Sequence, residues 1–157
     1  MREGGTTSAK KGRCVAALVA LLSLAATVVQ AADAVAPAWR LVVHPSRAMA
    51  SIGRTELERI YRRTTRFWKD GVLIVPLNLP GEDPLRRAFS DEILRDSEDE
   101  LANWWNRQYF QGVMPPAVLQ SSGAVRAYVA VTPGAIGYID ATDVDASVSV
   151  VEVQGGD

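Results

Sequence analysis

Residues 72–89, VLIVPLNLPGEDPLRRAF, decide the fold of this chain. An apolar run ends at the turn formed by Pro80 and Gly81, and Asp83 and Pro84 then supply a helix N-cap and a first helical position. A strand that leads through a turn into a helix is the unit of α/β domains. Free backbone N–H groups make such a turn the usual place for a ligand, so we take it as the candidate site.

Strand and helix patterns alternate around this stretch. Strands are predicted at residues 39–44, 72–79, 135–139 and 147–153, with a loop at 46–52. Helices are predicted to begin at Gly53, Asp83, Ser97 and either Ser121 or Ser122. Ser97 with the glutamate three residues later fits a capping box. The alternation predicts an α/β domain with a small, mostly parallel or mixed sheet flanked by helices.

Pro76 interrupts the apolar run of the second predicted strand. Proline has no backbone N–H and cannot donate to a sheet ladder. We therefore expect Pro76 to lie at a sheet edge or at a bulge.

Residues 1–31 have the pattern of a secretory signal peptide. Four basic residues precede an apolar run at 14–29, and small residues allow cleavage after Ala31 or, as an alternative, after Ala34. An uncleaved membrane anchor is the other interpretation, but the run is shorter than the roughly 20 residues that a spanning helix needs. The sequence thus predicts an exported, periplasmic protein with one domain at 35–153 and a tail at 154–157.

The composition without residues 1–31 excludes several classes of function. The net charge is about −4, a poor profile for a nucleic-acid binder, and Cys14 is lost, so neither a disulfide nor a thiolate site remains. His44 is a poor basis for a zinc site and is expected to be a strand-end histidine bonded to backbone. The sequence shows no motif that assembles a catalytic set, so we expect no enzyme, cofactor or metal; a small hydrolase stays as an alternative.

Three other groups have both a functional and a structural interpretation. A basic group near the end of the first helix can contact an anion, but we favour the interpretation that it offsets the helix dipole. Its members are Arg59, Arg62, Arg63 and Arg66. Trp104 and Trp105 are expected to pack in the core with one ring partly exposed, a ligand platform being the alternative. A solvated acidic face is expected from Glu92, Glu98, Asp99 and Glu100.

Three stretches together resemble one protein family. RTELERIY at 54–61 with FWKDG at 67–71 looks like a helix-then-tryptophan segment, and residues 74–89 add a strand, a turn and a helix. The most specific stretch is TPGAIGYI at 132–139. They are similar to the phosphate-type substrate-binding proteins of ABC transporters, within the type 2 periplasmic binding protein superfamily. Full-length members have two lobes that close on an anion, and the resemblance implies a single such lobe here.

The candidate turn departs from the family pattern. Phosphate-binding members carry Gly-Ser-Gly-Thr at the helix start and an arginine shortly before it. The residues aligned with that run are 82–85, Glu-Asp-Pro-Leu, and Asn78 or Leu79 falls near the arginine position. Two carboxylates at about 4 Å from a phosphate cost on the order of several kcal/mol at an effective dielectric near 20. One hydrogen bond returns less than that.

The resemblance therefore implies a binding module with a degenerate phosphate site. The candidate ligand-binding residues are Asn78, Gly81, Asp83, Arg86 and Arg87. The expected partner is a small phosphate-like anion or another protein, with a homodimer as an open alternative and no integral membrane segment after cleavage. The alternative function is a phosphate or oxyanion component of an ABC transport system, completed by dimerisation, in which Arg86 or Arg87 replaces the missing arginine.

Overall fold

A computed structural model describes residues 39–155 of the chain. The strands are β1 (Trp39–Val43), β2 (Ser51–Gly53), β3 (Val75–Asn78), β4 (Ala117–Val118), β5 (Ala135–Asp140) and β6 (Ser149–Gln154). The helices are α1 (Arg54–Tyr61), α2 (Pro84–Phe89), α3 (Glu98–Tyr109) and α4 (Ser122–Val131). A π-helical turn, Ser90–Leu94, extends α2. The predicted signal peptide lies outside the described residues. Within 39–155, every helix is too short or too polar to cross a membrane.

The described strands form one sheet in the order β2-β6-β1-β5-β3-β4. Strand β1 is antiparallel to both of its neighbours, β5 and β6. The remaining pairings, β2 with β6, β3 with β5 and β3 with β4, are parallel. All strands except β1 therefore point in one direction, which confirms the predicted α/β class with a mostly parallel, mixed sheet.

Two short strands were missed in the sequence. The predicted loop at 46–52 contains the start of β2, which pairs with β6, and β4 has only two residues. Neither strand is long enough to show an alternating pattern. The second predicted strand begins later than the expected residue 72. Leu73 forms only an isolated bridge with Phe67, and β3 starts at Val75.

Pro76 does not mark a sheet edge, since β3 lies between β5 and β4. The N–H of Val75 donates to the carbonyl of Gly134 at 3.0 Å, on the side of β5. The next residue, Pro76, therefore directs its missing donor position toward β4. Strand β4 begins only opposite Leu77, so the proline interrupts no ladder hydrogen bond. The expectation of an edge is therefore wrong for β3 as a whole, but it is met at Pro76 itself, which has a partner strand on one side only.

The predicted helix starts are confirmed. The Asp83 carboxylate accepts from the N–H of Leu85 at 2.8 Å. Ser97 and Glu100 form the complete capping box, and Ser121 caps α4. These caps involve residues within one turn of each other, which is why the sequence alone predicts them.

The core is centred on four aromatic rings. Phe89 stacks on Tyr138 with ring centroids 4.1 Å apart, and Trp39 and Tyr61 pack edge-on or tilted around that pair. Phe89 comes from α2, Tyr61 from α1 and the other two rings from the sheet. The candidate turn between β3 and α2 is thus anchored at its helical end by the centre of the core.

Candidate functional site

A side chain of the candidate turn, Asp83, occupies the N-terminus of α2. The N–H of Asp83 donates to the carbonyl of Pro80 at 3.0 Å, which closes the turn. Pro84 has no N–H, and the N–H of Leu85 is taken by the Asp83 carboxylate at 2.8 Å. The position where an anion would meet helix amides therefore already holds an internal carboxylate.

Asn78, a predicted ligand residue, is buried below this turn. It is 5% exposed, and its side-chain oxygen accepts from the Tyr138 hydroxyl at 3.2 Å. That hydroxyl in turn accepts from the N–H of Leu79 at 3.2 Å. Burial is the largest influence on the Tyr138 hydroxyl and raises its pKa, so the group stays protonated and donates. Asn78 thus ties the end of β3 to β5.

Arg86 and Arg87 are the positive charges of the site. The Arg86 guanidinium lies near the Tyr138 hydroxyl and partly offsets the effect of burial on the pKa of that tyrosine. Arg86 is half-buried and Arg87 is exposed. Within residues 39–155, neither forms an ion pair with a carboxylate. The Arg87 guanidinium is therefore exposed to an incoming acceptor, whereas the Arg86 side chain already interacts with the Tyr138 hydroxyl.

An open pocket of about 550 Å³ brings three of the five predicted residues together. Gly81, Arg86 and Arg87 line it, whereas Asn78 and Asp83 do not. The sequence reasoning missed the rest of the lining: Glu82, Ser90 and Asp91 on one side, and Asp96, Ser97 and Leu101 at the start of α3. Residues 81–91 and residues 96–101 line one pocket although they belong to separate helical segments, and no local sequence signal indicates that they do.

His44 and two arginines of the basic group have structural partners. His44 accepts the N–H of Ser46 on Nδ1 at 3.1 Å, so the strand-end prediction is confirmed. The Arg63 side chain donates to the carbonyl of Ile74 at 3.0 Å, and Arg62 forms ion pairs with Glu58 and Asp96. Two members of the basic group thus have partners within the domain, and the offset of the helix dipole stays a prediction. Among the described residues, no cluster of histidine and acidic side chains is suited to a metal ion.

The tryptophan pair does not pack in the core as predicted. Trp104 and Trp105 are both half-buried, and the Trp104 ring lies 5.2 Å from the Arg62 guanidinium. The expectation was wrong because α3 lies at the surface, and the side chains described at its positions 99–109 are all half-buried or exposed. The acidic face was better predicted, since Glu92, Asp99 and Glu100 are exposed.

Comparisons with known proteins place this geometry in a structural class. No protein-family model and no curated protein matches the chain. Solved structures do match. An ABC-type phosphate transport receptor from Vibrio cholerae has a TM-score of 0.61 at 20% identity over 76% of this chain and 47% of its own. A Clostridium perfringens phosphate ABC transporter substrate-binding protein with bound phosphate has a TM-score of 0.60 at 25% identity, over 74% and 44%. PstS from Borrelia burgdorferi has a TM-score of 0.59 at 18% identity, over 74% and 47%.

The described domain therefore has the fold of the phosphate-type ABC transporter substrate-binding proteins, which confirms the resemblance at the level of fold. The chain spans less than half the length of each of these proteins. This extent agrees with the single lobe that the sequence implied. The matched proteins are binding proteins rather than enzymes.

Proposed function

We propose that this protein is an exported binding module that keeps the substrate-binding-protein fold but has lost the phosphate site at the helix start. The observation that carries the proposal is the 2.8 Å hydrogen bond from the N–H of Leu85 to the Asp83 carboxylate. A phosphate placed there would have to displace a negative charge held by a local cap. The repulsion is on the order of several kcal/mol at about 4 Å.

The ligand of such a module is a partner protein that contacts the open pocket. Arg86 and Arg87 are unpaired with carboxylates in the described part of the chain, and Glu82 and Asp91 lie on the same surface. A surface with both signs of charge suits a polar protein interface better than a small anion with several negative charges. Export to the periplasm follows from residues 1–31 and remains part of the proposal.

A second candidate is a phosphate or oxyanion component of a transport system. The unpaired guanidinium groups of Arg86 and Arg87 favour it, because arginine binds oxyanions in a bidentate manner. The anion would then lie against these side chains in the 550 Å³ pocket rather than on the amides of α2. A second copy of the chain would supply the missing wall.

Calorimetry with inorganic phosphate distinguishes the two candidates. The protein is expressed from its full sequence and purified with and without the Arg86→Ala change. Arg59→Ala is the matched control, since Arg59 is an exposed arginine on α1 outside the pocket. The proposal predicts no binding at millimolar phosphate. Micromolar binding that R86A abolishes and R59A preserves would establish the second candidate instead.

Site-directed photo-crosslinking in the periplasm tests the partner directly. A photoreactive residue at position 87 is expected to give one protein adduct, and the same residue at position 59 is expected to give none. If position 87 gives no adduct and phosphate does not bind, the interaction module is wrong. A turnover screen with His44→Ala and Asp83→Ala checks the remaining hydrolase alternative, for which we expect no activity.

A further inference from the structure

Helix α3 is held differently from the other helices of the described domain. Each of α1, α2 and α4 buries at least one residue completely, whereas none of the side chains described in α3, at positions 99–109, is fully buried. Its inner side consists of the half-buried Leu101, Trp104 and Trp105. Burial of apolar surface is the main force that fixes a helix to a core, so α3 is bound more weakly than its neighbours.

The backbone changes direction sharply at both ends of α3. Arg95, just before it, has φ of 55°, in the left-handed region that a non-glycine residue rarely adopts. Gly112, just after it, has φ of 74°. Between these two points the capping box of Ser97 and Glu100 closes the first turn of the helix. The segment is thus a capped helix between two candidate hinge positions, and its amides lose protection when it leaves the domain, because an isolated helix of 12 residues is only marginally stable in water.

One arginine holds the first hinge in place. Arg62, at the end of α1, pairs with Asp96 at 2.5 Å and donates to the carbonyl of Leu94 at 3.3 Å. The same guanidinium pairs with Glu58 at 2.9 Å and lies over the Trp104 ring at 5.2 Å. Arg62 therefore joins α1, the hinge and the inner side of α3 through a single side chain.

The observed position of α3 leaves one buried hydrogen-bond donor, the indole N–H of Trp104, without a partner among the described residues. An unpaired buried donor is unfavourable relative to the same donor in water. Displacement of α3 would expose Trp104 to water and remove that cost, which brings the free energies of the closed and displaced positions closer together.

We propose that α3 is a hinged flap over the pocket and that the Arg62–Asp96 ion pair is its latch. Asp96, Ser97 and Leu101 form one wall of the pocket, and Gly81, Arg86 and Arg87 form the other. Movement about residues 95–97 and 110–112 widens the space between these walls. The inference concerns access to the pocket and stands whether the pocket takes a protein or an anion.

Hydrogen–deuterium exchange with mass spectrometry on the purified protein tests the flap. Peptides from α3 are expected to exchange at least about tenfold faster than peptides from α4, a helix of similar length that is anchored in the core. Equal protection of α3 and α4 would overturn the proposal.

Variants at the latch separate hinge opening from general instability. Arg62→Ala is expected to accelerate exchange in α3 by about a further fivefold and to leave β5 unchanged. Arg62→Lys should fall between, because lysine keeps the charge but lacks the planar fork. Arg59→Ala, on the same helix, should have no effect.

The Asp96→Asn variant tests the other half of the latch. It should resemble Arg62→Ala, and the double variant should add little to either single change, since both remove one interaction. Fully additive effects, or an Arg62→Ala effect as large in β5 as in α3, would show that Arg62 stabilises the whole domain rather than a flap.

Discussion

Two turns begin with the same dipeptide, Pro-Gly, and have opposite surroundings. Gly134, at the start of β5, is buried, and its carbonyl accepts from Val75 N–H at 3.0 Å and from the Trp68 indole at 3.1 Å. Pro133 adds a bond, because its carbonyl accepts from Arg47 at 2.9 Å. Gly81, after β3, is exposed, and a Cβ there would meet no atom within 4 Å.

The difference shows which Pro-Gly turn requires glycine for packing and which one tolerates other residues. A Cβ on Gly134 would lie 2.1 Å from the backbone oxygen of Leu73, so only glycine fits where these chain segments approach each other. The turn at Gly81 has no such constraint and borders the pocket. A protein with this fold can therefore keep the turn at Gly134 for packing and change the chemistry of the turn at Gly81.

The largest expected difference in stability is between alanine substitutions at the two turns. Gly134→Ala should destabilise the domain by more than about 4 kcal/mol, because the clash is with backbone. Gly81→Ala should change stability by less than about 1 kcal/mol, since its φ is outside the left-handed region. Urea denaturation of both variants measures the contrast.

A second substitution keeps this test informative if Gly134→Ala does not fold. A Cβ on Gly137 would lie 2.5 Å from Val125 Cγ1, a side chain that can shift, so Gly137→Ala should cost about 1–3 kcal/mol. Equal costs at positions 81 and 134 would contradict the distinction between the two turns.

A smaller effect is expected below the open turn. Tyr138→Phe removes the hydroxyl that bonds both Leu79 N–H and Asn78, and it should destabilise by about 1–3 kcal/mol. Tyr128→Phe is the control. Tyr128 is 40% exposed, so loss of its hydroxyl should change the free energy of unfolding by no more than about 0.5 kcal/mol. If Tyr138→Phe costs nothing, the bond between Tyr138 and Asn78 does not hold the end of β3 to β5. Thermal unfolding of the two variants against wild type decides this.

The smallest effect concerns the start of α3, across the pocket from the open turn. Hydrogen bonds from the backbone N–H and the hydroxyl of Ser97 lower the pKa of Glu100 below its usual value of 4.5. The stabilisation is therefore present above pH 4.5 and is lost as the pH falls through the lower folded pKa.

Glu100→Gln keeps an acceptor but removes this titration. Wild type should protect α3 slightly better than the variant near neutral pH, and the difference should be smaller at about pH 3, because the stabilisation is lost as the pH falls through the lowered pKa. The measurement is hydrogen exchange of α3 at both pH values. A difference that persists undiminished in acid would show that the glutamate acts through packing rather than charge.

The helix starts and the fold class could be predicted because they depend on local chemistry. Asp83, Ser97 and Ser121 cap helices through bonds to residues two or three positions away. The pocket could be predicted only in part. Gly81, Arg86 and Arg87 follow from the turn itself, but Asp96 and Leu101 belong to the next helical segment, and no short-range pattern indicates that they share its pocket.

The sequence alone determined the α/β class, the caps and the carboxylate at the helix start, since each depends on neighbouring residues. The tertiary structure alone decided that β1 runs against the other strands and that Asn78 faces Tyr138. It also decided that α3 is held at the surface by Arg62. These outcomes join residues tens of positions apart. Their free energies come from mutual burial and pairing, which exist only once the chain has folded.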